Sequence, residues 1–337
     1  MNMKILISTG IYPPKIGGPA QYSKNLANEL SLMGHSVGVS TFTLENYLPS
    51  GIRHAYFFLK VFPKVLLSDY VIALDTFSVG LPTVLACKIL NKKVVIRTGG
   101  DFLWESYVER TGKMILFRNF YREERQNFSA KDKIIFFLTK WTLNNCGKVI
   151  FSTEWQRKVF IEAYDLPVAR TEIIENYYGE KETDLVPKEK IFVASARNLA
   201  WKNSDTLNRV FDRVRLKHPD VKLFTDNIEF SQFMNIIKTS YAVILVSIGD
   251  ISPNLILDAI RYNRPFVCTK EVGIIDRIGD AGVFVDPFNE SEIENAIISM
   301  LDEGNYSLAK KKVSEFSFTH TWKEIADEFI KVHKLLT

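Results

Sequence analysis

The sequence predicts an α/β protein of two domains, each a parallel β-sheet covered by helices. Three observations predict it. The chain has 337 residues, long for one domain and comfortable for two. Short apolar runs alternate with amphipathic helical patterns, the grammar of the β-loop-α-β unit. That alternation is interrupted once, by the polar and aperiodic stretch 179–190, and then begins again. A chain 46% hydrophobic and 24% charged has material for two cores, which excludes global disorder.

The elements follow in order. Lys4 to Ser8 is an apolar run suited to a strand buried on both faces. After a loop from Thr9 to Gly18, Pro19 opens a helix, since proline is tolerated in a first helical turn. Tyr22, Leu26, Leu30 and Met33 share one face of it, and Gly34 stands where a C-terminal cap belongs. Val37 to Thr41, Tyr70 to Leu74, Val94 to Arg97 and Lys148 to Ser152 read as further strands. Helices read from Val79 to Leu90 and from Glu154 to Ala163. The second half gives strands at Ile191–Ser195, Val221–Phe224, Ala242–Val246, Pro265–Cys268 and Val283–Val285. Its helices read from Ser204 to Lys217, Phe230 to Thr239, Ser252 to Tyr262, Glu290 to Leu301 and Thr319 to Leu336. The expected division is a first domain over 1–178, a linker over 179–190, a second domain over 191–318 and a final helix over 319–337.

Composition narrows the function classes. The formal charge of +4 permits an acidic ligand or an anionic membrane and demands neither. Cys87, Cys146 and Cys268 are far apart without a CxxC pair, so neither a disulfide framework nor a zinc site is indicated, and a reducing compartment fits. The histidines are scattered without metal-ligand spacing, so no metal or other cofactor is expected. The N-terminus lacks an apolar core with a cleavage site, and the apolar stretch from Tyr70 to Cys87 is broken by Asp75, Gly80 and Pro82. A cytoplasmic protein is therefore expected, with no nucleic-acid partner. Arg110 to Lys133 is aromatic and basic. It reads either as a solvated helix face or as a peripheral contact with the inner face of a membrane.

Two motif clusters carry chemistry. In the first, Gly17 and Gly18 stand between a strand and a helix N-terminus, where backbone approaches a ligand closely and free N–H groups suit a phosphate. They are not spaced as GxGxxG, which argues against a dinucleotide fingerprint. In the second, Arg197 and Lys202 follow a strand directly and place two cations at its C-terminal end, where open α/β sheets bind ligands. Two cations there can neutralise a diphosphate and the charge it gains on leaving. Asp250-Ile251-Ser252-Pro253-Asn254-Leu255 follows another strand, with Ser252 expected to cap a helix whose N-terminus meets an anion. Asp258, inside that helix, is a carboxylate able to accept sugar hydroxyls. For each, a structural role is the alternative: a tight turn, solvated charge, or a carboxylate serving the helix dipole.

Taken together these residues resemble glycosyltransferase family 4, of the GT-B fold. The likeness runs through the N-terminal prolines, Gly17-Gly18, Leu26-Ala27, Leu30, Gly34-His35 and Val37, then Glu175-Asn176, and ends with Trp322 and the last helix. Arg197 and Lys202 match the family's Arg-x4-Lys pair, and Asp250 and Asp258 match its E-x7-E motif with aspartate at both positions. Thr98-Gly99-Gly100-Asp101-Phe102-Leu103-Trp104-Glu105 resembles the Gly-Asp-x-x-Trp-Glu stretch of some members, and a turn aspartate capping the next helix is the alternative for Asp101. The resemblance implies two Rossmann-like domains facing across a cleft. It implies a retaining, metal-independent transfer of sugar from a nucleoside-diphosphate sugar to a glycan or lipid-linked acceptor, with a context in cell-surface polysaccharide biosynthesis. It places the donor on Gly17, Gly18, Arg197, Lys202, Asp250, Ser252, Pro253, Asn254, Leu255 and Asp258, and catalysis on Asp101, Arg197, Lys202 and Asp250. A GT-B-like nucleotide-sugar epimerase and a non-catalytic nucleotide-sugar or glycan binder are the rival readings.

Overall fold

The first strand, β1 (Lys4–Thr9), is buried from Ile5 onward, as a strand covered on both faces must be. It leads into α1 (Gly18–Leu32), with Pro19 in the first turn and Gly34 in a left-handed conformation past the C-cap. Then come β2 (Ser36–Thr41), α2 (Ser50–Leu66), β3 (Tyr70–Ala73), α3 (Gly80–Ile89), β4 (Val94–Thr98), α4 (Phe102–Thr111), α5 (Phe120–Glu124), α6 (Ala130–Asn145), β5 (Lys148–Phe151), α7 (Glu154–Tyr164) and β6 (Thr171–Ile173). This is a computed structural model that describes residues 2–15, 17–195 and 197–336. Ile16 and Ala196, each inside one of the motif loops, lie outside the described residues.

The strands β2-β1-β3-β4-β5-β6 form one sheet, parallel throughout. Contacts divide the chain into two units, and unit 1 comprises Met1–Leu103, Tyr121–Tyr177 and His320–Thr337. On one face of its sheet Ile5, Ile7, Ile72, Val95 and Ile150 pack with Leu26 and Phe329. Two helices of this unit were not read from the sequence. α2 buries Phe57, Val61 and Val65, a clean i, i+4, i+8 stripe. α6 begins with a capping box of Ser129 and Asp132.

Unit 2 comprises Trp104–Phe120 and Tyr178–Thr319. Its elements are β7 (Lys190–Val193), α8 (Ser204–Lys217), β8 (Val221–Phe224), α9 (Phe230–Thr239), β9 (Ala242–Leu245), α10 (Asn254–Arg261), β10 (Phe266–Thr269), α11 (Ile275–Ile278), β11 (Val283–Val285), α12 (Glu290–Met300) and α13 (Glu303–Glu315). The sheet order is β11-β10-β9-β7-β8, again parallel. Period two explains the uninterrupted apolar run of β9. Val243 and Leu245 enter the core with α10, while Ala242 and Ile244 enter the core with α8 and α12.

Two segments are placed by contacts that the sequence does not advertise. Residues 104–120, inside the range expected for the first domain, cluster with unit 2. The stretch 179–190 is aperiodic but pinned. Lys181 donates to the carbonyls of Ile260 and Val313, Glu182 pairs with Lys238 and Arg261, and Asp184 pairs with the fully buried Arg264. The last helix, α14 (Trp322–Leu335), has a Thr321–Glu324 capping box and buries Ile325, Ala326 and Phe329 in the core of unit 1. Among the described residues no helix is long and apolar enough to cross a membrane.

Candidate functional site

Three loops leave the C-terminal ends of β7, β9 and β10 and are sewn together beyond the strands. Ala200–Lys202 is a 3-10 turn that ends on Asn203 in a left-handed conformation. The Asn203 amide donates to the carbonyls of Val246 and Pro287, at 3.3 and 2.8 Å, and fixes that turn to the β9 side. The N–H of Ile248 donates to Trp201 O at 3.0 Å. The N–H of Asp250 donates to Glu271 O, and the N–H of Gly273 donates back to Asp250 O. These bonds prolong the sheet's pairing into the loops.

On this ledge Lys202 Nζ lies 2.5 Å from Asp250 Oδ2, both side chains nearly buried, and 4.2 Å from the centre of the Trp201 ring. The expected Lys–Asp juxtaposition is therefore present, with the two charges spent on each other. Lys202 also lines a small hollow with Ala194, Ser195, Ser204, Asn208 and Thr225. Arg197 is exposed, and its guanidinium makes no hydrogen bond or ion pair among the described residues. The Asp258 carboxylate on α10 likewise has no bonded partner. Burial pushes its pKa up to about 7, against a smaller pull from Arg261.

One expectation is corrected. The helix after Asp250 starts at Asn254, not Ser252, and its N-cap is Pro253, with ψ near 113° and no side-chain cap bond. The backbone of Asp250 is tied to Glu271 and Gly273 as a bridge to the third loop. After that tie the chain bends at Ile251 and Ser252, and helical geometry begins only past Pro253. Asn254 is exposed and Leu255 partly so, at the first turn of α10.

A strap from the first half of the sequence lies on the same ledge. Trp104 and Phe117, both buried, press on Gly249, where a Cβ would stand 2.6 Å from Phe117 Cβ. The N–H of Phe117 donates to Ile248 O at 3.3 Å, and Glu109 accepts from the Ala200 N–H at 2.7 Å. Arg118 pairs at 2.7 Å with Glu271, whose carboxyl is pushed up by burial and drawn back by that arginine. Sequence reasoning missed Glu271, although it follows a buried strand just as Arg197 and Asp250 do. It also missed the strap, whose aromatic spacing carries no period.

Unit 1 holds the remaining predicted residues. Gly17 caps α1 with φ near 149°, a backbone that favours glycine, and its carbonyl accepts the N–H groups of Ala20 and Gln21. Gly18 is the first residue of that helix. Asp101 is buried, and its carboxylate accepts from Tyr121 O–H at 2.5 Å, Tyr121 in turn meeting Tyr164. Arg97, not singled out from sequence, ends β4 with its guanidinium 4.0 Å from the Tyr22 ring centre and bonded to Asn176. Trp322 stacks on Tyr177 and meets Tyr22 edge-on. In the basic stretch 110–133, Phe117, Phe120, Tyr121 and Phe128 are core residues, and Arg110, Lys113, Arg118, Arg122, Arg125, Lys131 and Lys133 face solvent. Among the described residues no cluster of His, Cys, Asp or Glu is arranged to hold a metal ion.

No family model matches the chain, and no curated protein matches it in sequence. Solved structures do match it in shape. The sucrose-phosphate synthase of Thermosynechococcus elongatus superposes with a TM-score of 0.72 at 13% identity, over 99% of each chain. WaaG, a glycosyltransferase involved in lipopolysaccharide biosynthesis, gives 0.68 at 12% identity, also over 99% of each. Anabaena HepE, solved in complex with UDP-glucose, gives 0.65 at 15% identity over 99% of this chain and 98% of that one. At such identity the likeness speaks to architecture. Two parallel-sheet units in this order and over this full length make the chain a GT-B fold.

Proposed function

We propose that the chain is a retaining glycosyltransferase of the family 4 kind, moving a sugar from a nucleoside-diphosphate sugar to a glycan or lipid-linked acceptor in cell-surface polysaccharide assembly. The observation that carries the reading is the meeting of Lys202 and Asp250, from two different loops, at one sheet edge of unit 2. Support comes from HepE, solved with UDP-glucose, and from Arabidopsis starch synthase IV, solved with ADP and acarbose, which share the architecture.

In this reading a diphosphate enters beside Arg197 and Lys202, and Lys202 exchanges the Asp250 carboxylate for a phosphate oxygen. Asp250, released, accepts a hydroxyl of the transferred sugar, and Asp258 accepts hydroxyls of the ribose. Ser252, Pro253, Asn254 and Leu255 bring the first turn of α10 to the phosphate. As the sugar departs, the two cations stabilise the charge gathering on the leaving phosphate, the service a divalent ion performs elsewhere. A phosphate oxygen takes the acceptor's proton, and attack on the departing face retains configuration. Asp101, whose carboxylate accepts from Tyr121 O–H, hydrogen-bonds the transferred sugar or orients the acceptor hydroxyl.

A peripheral membrane contact in the cytoplasm, through the basic stretch 110–133 and the helix α6 that continues from it, is part of this reading. α3 packs with both α2 and α6, and these helices expose Leu59, Leu66, Ile89, Ile134 and Phe137 near Lys88 and Lys133. The deciding experiment is turnover of a panel of UDP-, GDP-, dTDP- and ADP-sugars with product analysis. Transfer or slow donor hydrolysis supports the proposal. An epimerised donor with no acceptor points to the epimerase, and binding without turnover points to the non-catalytic module.

A further inference from the structure

The strap 104–120 touches all three loops of the ledge, each by a different bond. Glu109 takes the N–H of Ala200 in the Lys202 turn. Phe117 gives its N–H to Ile248, and its ring and that of Trp104 press on Gly249, next to Asp250. Arg118 takes the Glu271 carboxylate, whose carbonyl holds the Asp250 N–H. Trp104 also packs against Trp201 at 5.7 Å between ring centres, and Trp201 is the ring beneath Lys202 Nζ. The strap keeps its own shape through Trp104 Nε1–H, which donates to Ile115 O at 2.9 Å.

Loops joined to one another by only a few bonds would sample several arrangements. A flexible cation loses affinity because its ordering must be offset at the moment of binding. A second element bonded to each loop removes that cost in advance. Much of this bonding is placed where it does little for the core. Glu109 is exposed, so its bond is worth little to folding and much to loop geometry, whereas the half-exposed Arg118 also neutralises the buried Glu271.

We propose that the strap is a positioning element of the donor site, in which Glu109, Arg118 and Trp104 hold the Lys202, Asp250 and Glu271 loops in the arrangement that receives a nucleoside diphosphate. The proposal rests on the donor-site reading above and adds to it residues from the first half of the chain. Gly249 follows from it, since any side chain there would lift the strap off the Asp250 loop.

The test is calorimetric titration of UDP, GDP, ADP and dTDP into the full chain and into Glu109→Ala, Glu109→Gln, Arg118→Ala, Glu271→Gln, Arg118→Ala/Glu271→Gln and Lys202→Met, with thermal melting alongside. The expected result is a roughly 3- to 10-fold weaker Kd for Glu109→Ala and Arg118→Ala, with melting close to that of the parent for Glu109→Ala and lowered for Arg118→Ala, which bares the buried Glu271 carboxyl. Glu109→Gln restores affinity, because its amide oxygen still accepts the Ala200 N–H. The double variant binds no worse than the weaker of its two singles, as expected of a pair acting as one. Loss of affinity in Lys202→Met with parental affinity in Glu109→Ala and Arg118→Ala overturns the strap and leaves the donor site standing. Parental affinity in Lys202→Met as well overturns the donor site itself.

Discussion

At the C-terminal edge of unit 1's sheet the buried carboxylates Asp75 and Asp101 are closed by hydrogen bonds, while at the same edge of unit 2 the buried carboxylate Glu271 keeps one oxygen without a bond. In unit 1 Asp101 is closed by Tyr121 and Tyr164, and Asp75 takes the N–H groups of Phe77, Val79 and Gly80. In unit 2 Arg197 is exposed, Asp258 has no bonded partner, and one oxygen of the buried Glu271 has none. A buried carboxylate is ordinarily satisfied on both oxygens, so one that keeps a bare oxygen beside an exposed arginine has a use for a ligand. The parallel sheet offers both edges, and only the residues placed on them differ.

The largest effect that sharpens this contrast is expected at Lys202. Lys202→Met keeps the stem on Trp201 and removes the charge, and kcat/KM for donor turnover should fall about 10²- to 10³-fold. Steady-state kinetics on the donor identified by the panel measures it. Turnover at the parental rate would erase the distinction between the two edges.

The next effect belongs to unit 1 and should be one of stability. Tyr121→Phe removes the O–H that Asp101 accepts and should lower unfolding free energy by about 1–3 kcal/mol in urea. Nucleoside-diphosphate affinity should not move. A weaker Kd with unchanged urea stability would break the comparison, since unit 1's edge would then face the ligand.

The smallest effect is a pH-dependent gain. Burial raises Asp258 from 3.8 to about 7 in the folded chain, so its ionised form opposes folding. The opposition is absent below about pH 4, grows as pH rises and is complete above about pH 7. Asp258→Asn should therefore leave the melting temperature unchanged near pH 4 and raise it at pH 8. In the parent protein, nucleotide binding should weaken as pH falls through about 7 and Asp258 takes up a proton. Melting curves and titrations at the two pH values check both, and equal melting shifts at both would place the strain elsewhere.

The fold was largely legible because its signals are local. The runs at Lys4, Tyr70, Val94 and Ala242 announce strands with no help from the rest of the chain, and Ser204 to Lys217 and Phe230 to Thr239 read as helices over the spans observed. Where a stop signal competes with a distant bond, the sequence misleads. Ser252-Pro253 has the composition of a helix start, yet pairing of Asp250 with Glu271 and Gly273 delays the helix. In α2 the stop signal is Pro63, which stands inside the helix and is outweighed by the buried Phe57, Val61 and Val65.

By itself the sequence determined the alternation of strands and helices, the two parallel sheets, and the positions of Arg197, Lys202, Asp250 and Asp258 after or near strand ends. Those features depend on side-chain periodicity and turn chemistry within a few residues. Only the tertiary structure decided that Lys202 faces Asp250, that Arg118 holds Glu271, that Trp104 rests on Gly249, and that Asp258 stays without a partner. Such pairings join residues far apart in the chain, and which of many possible charges or rings meet is settled by close packing of the whole unit.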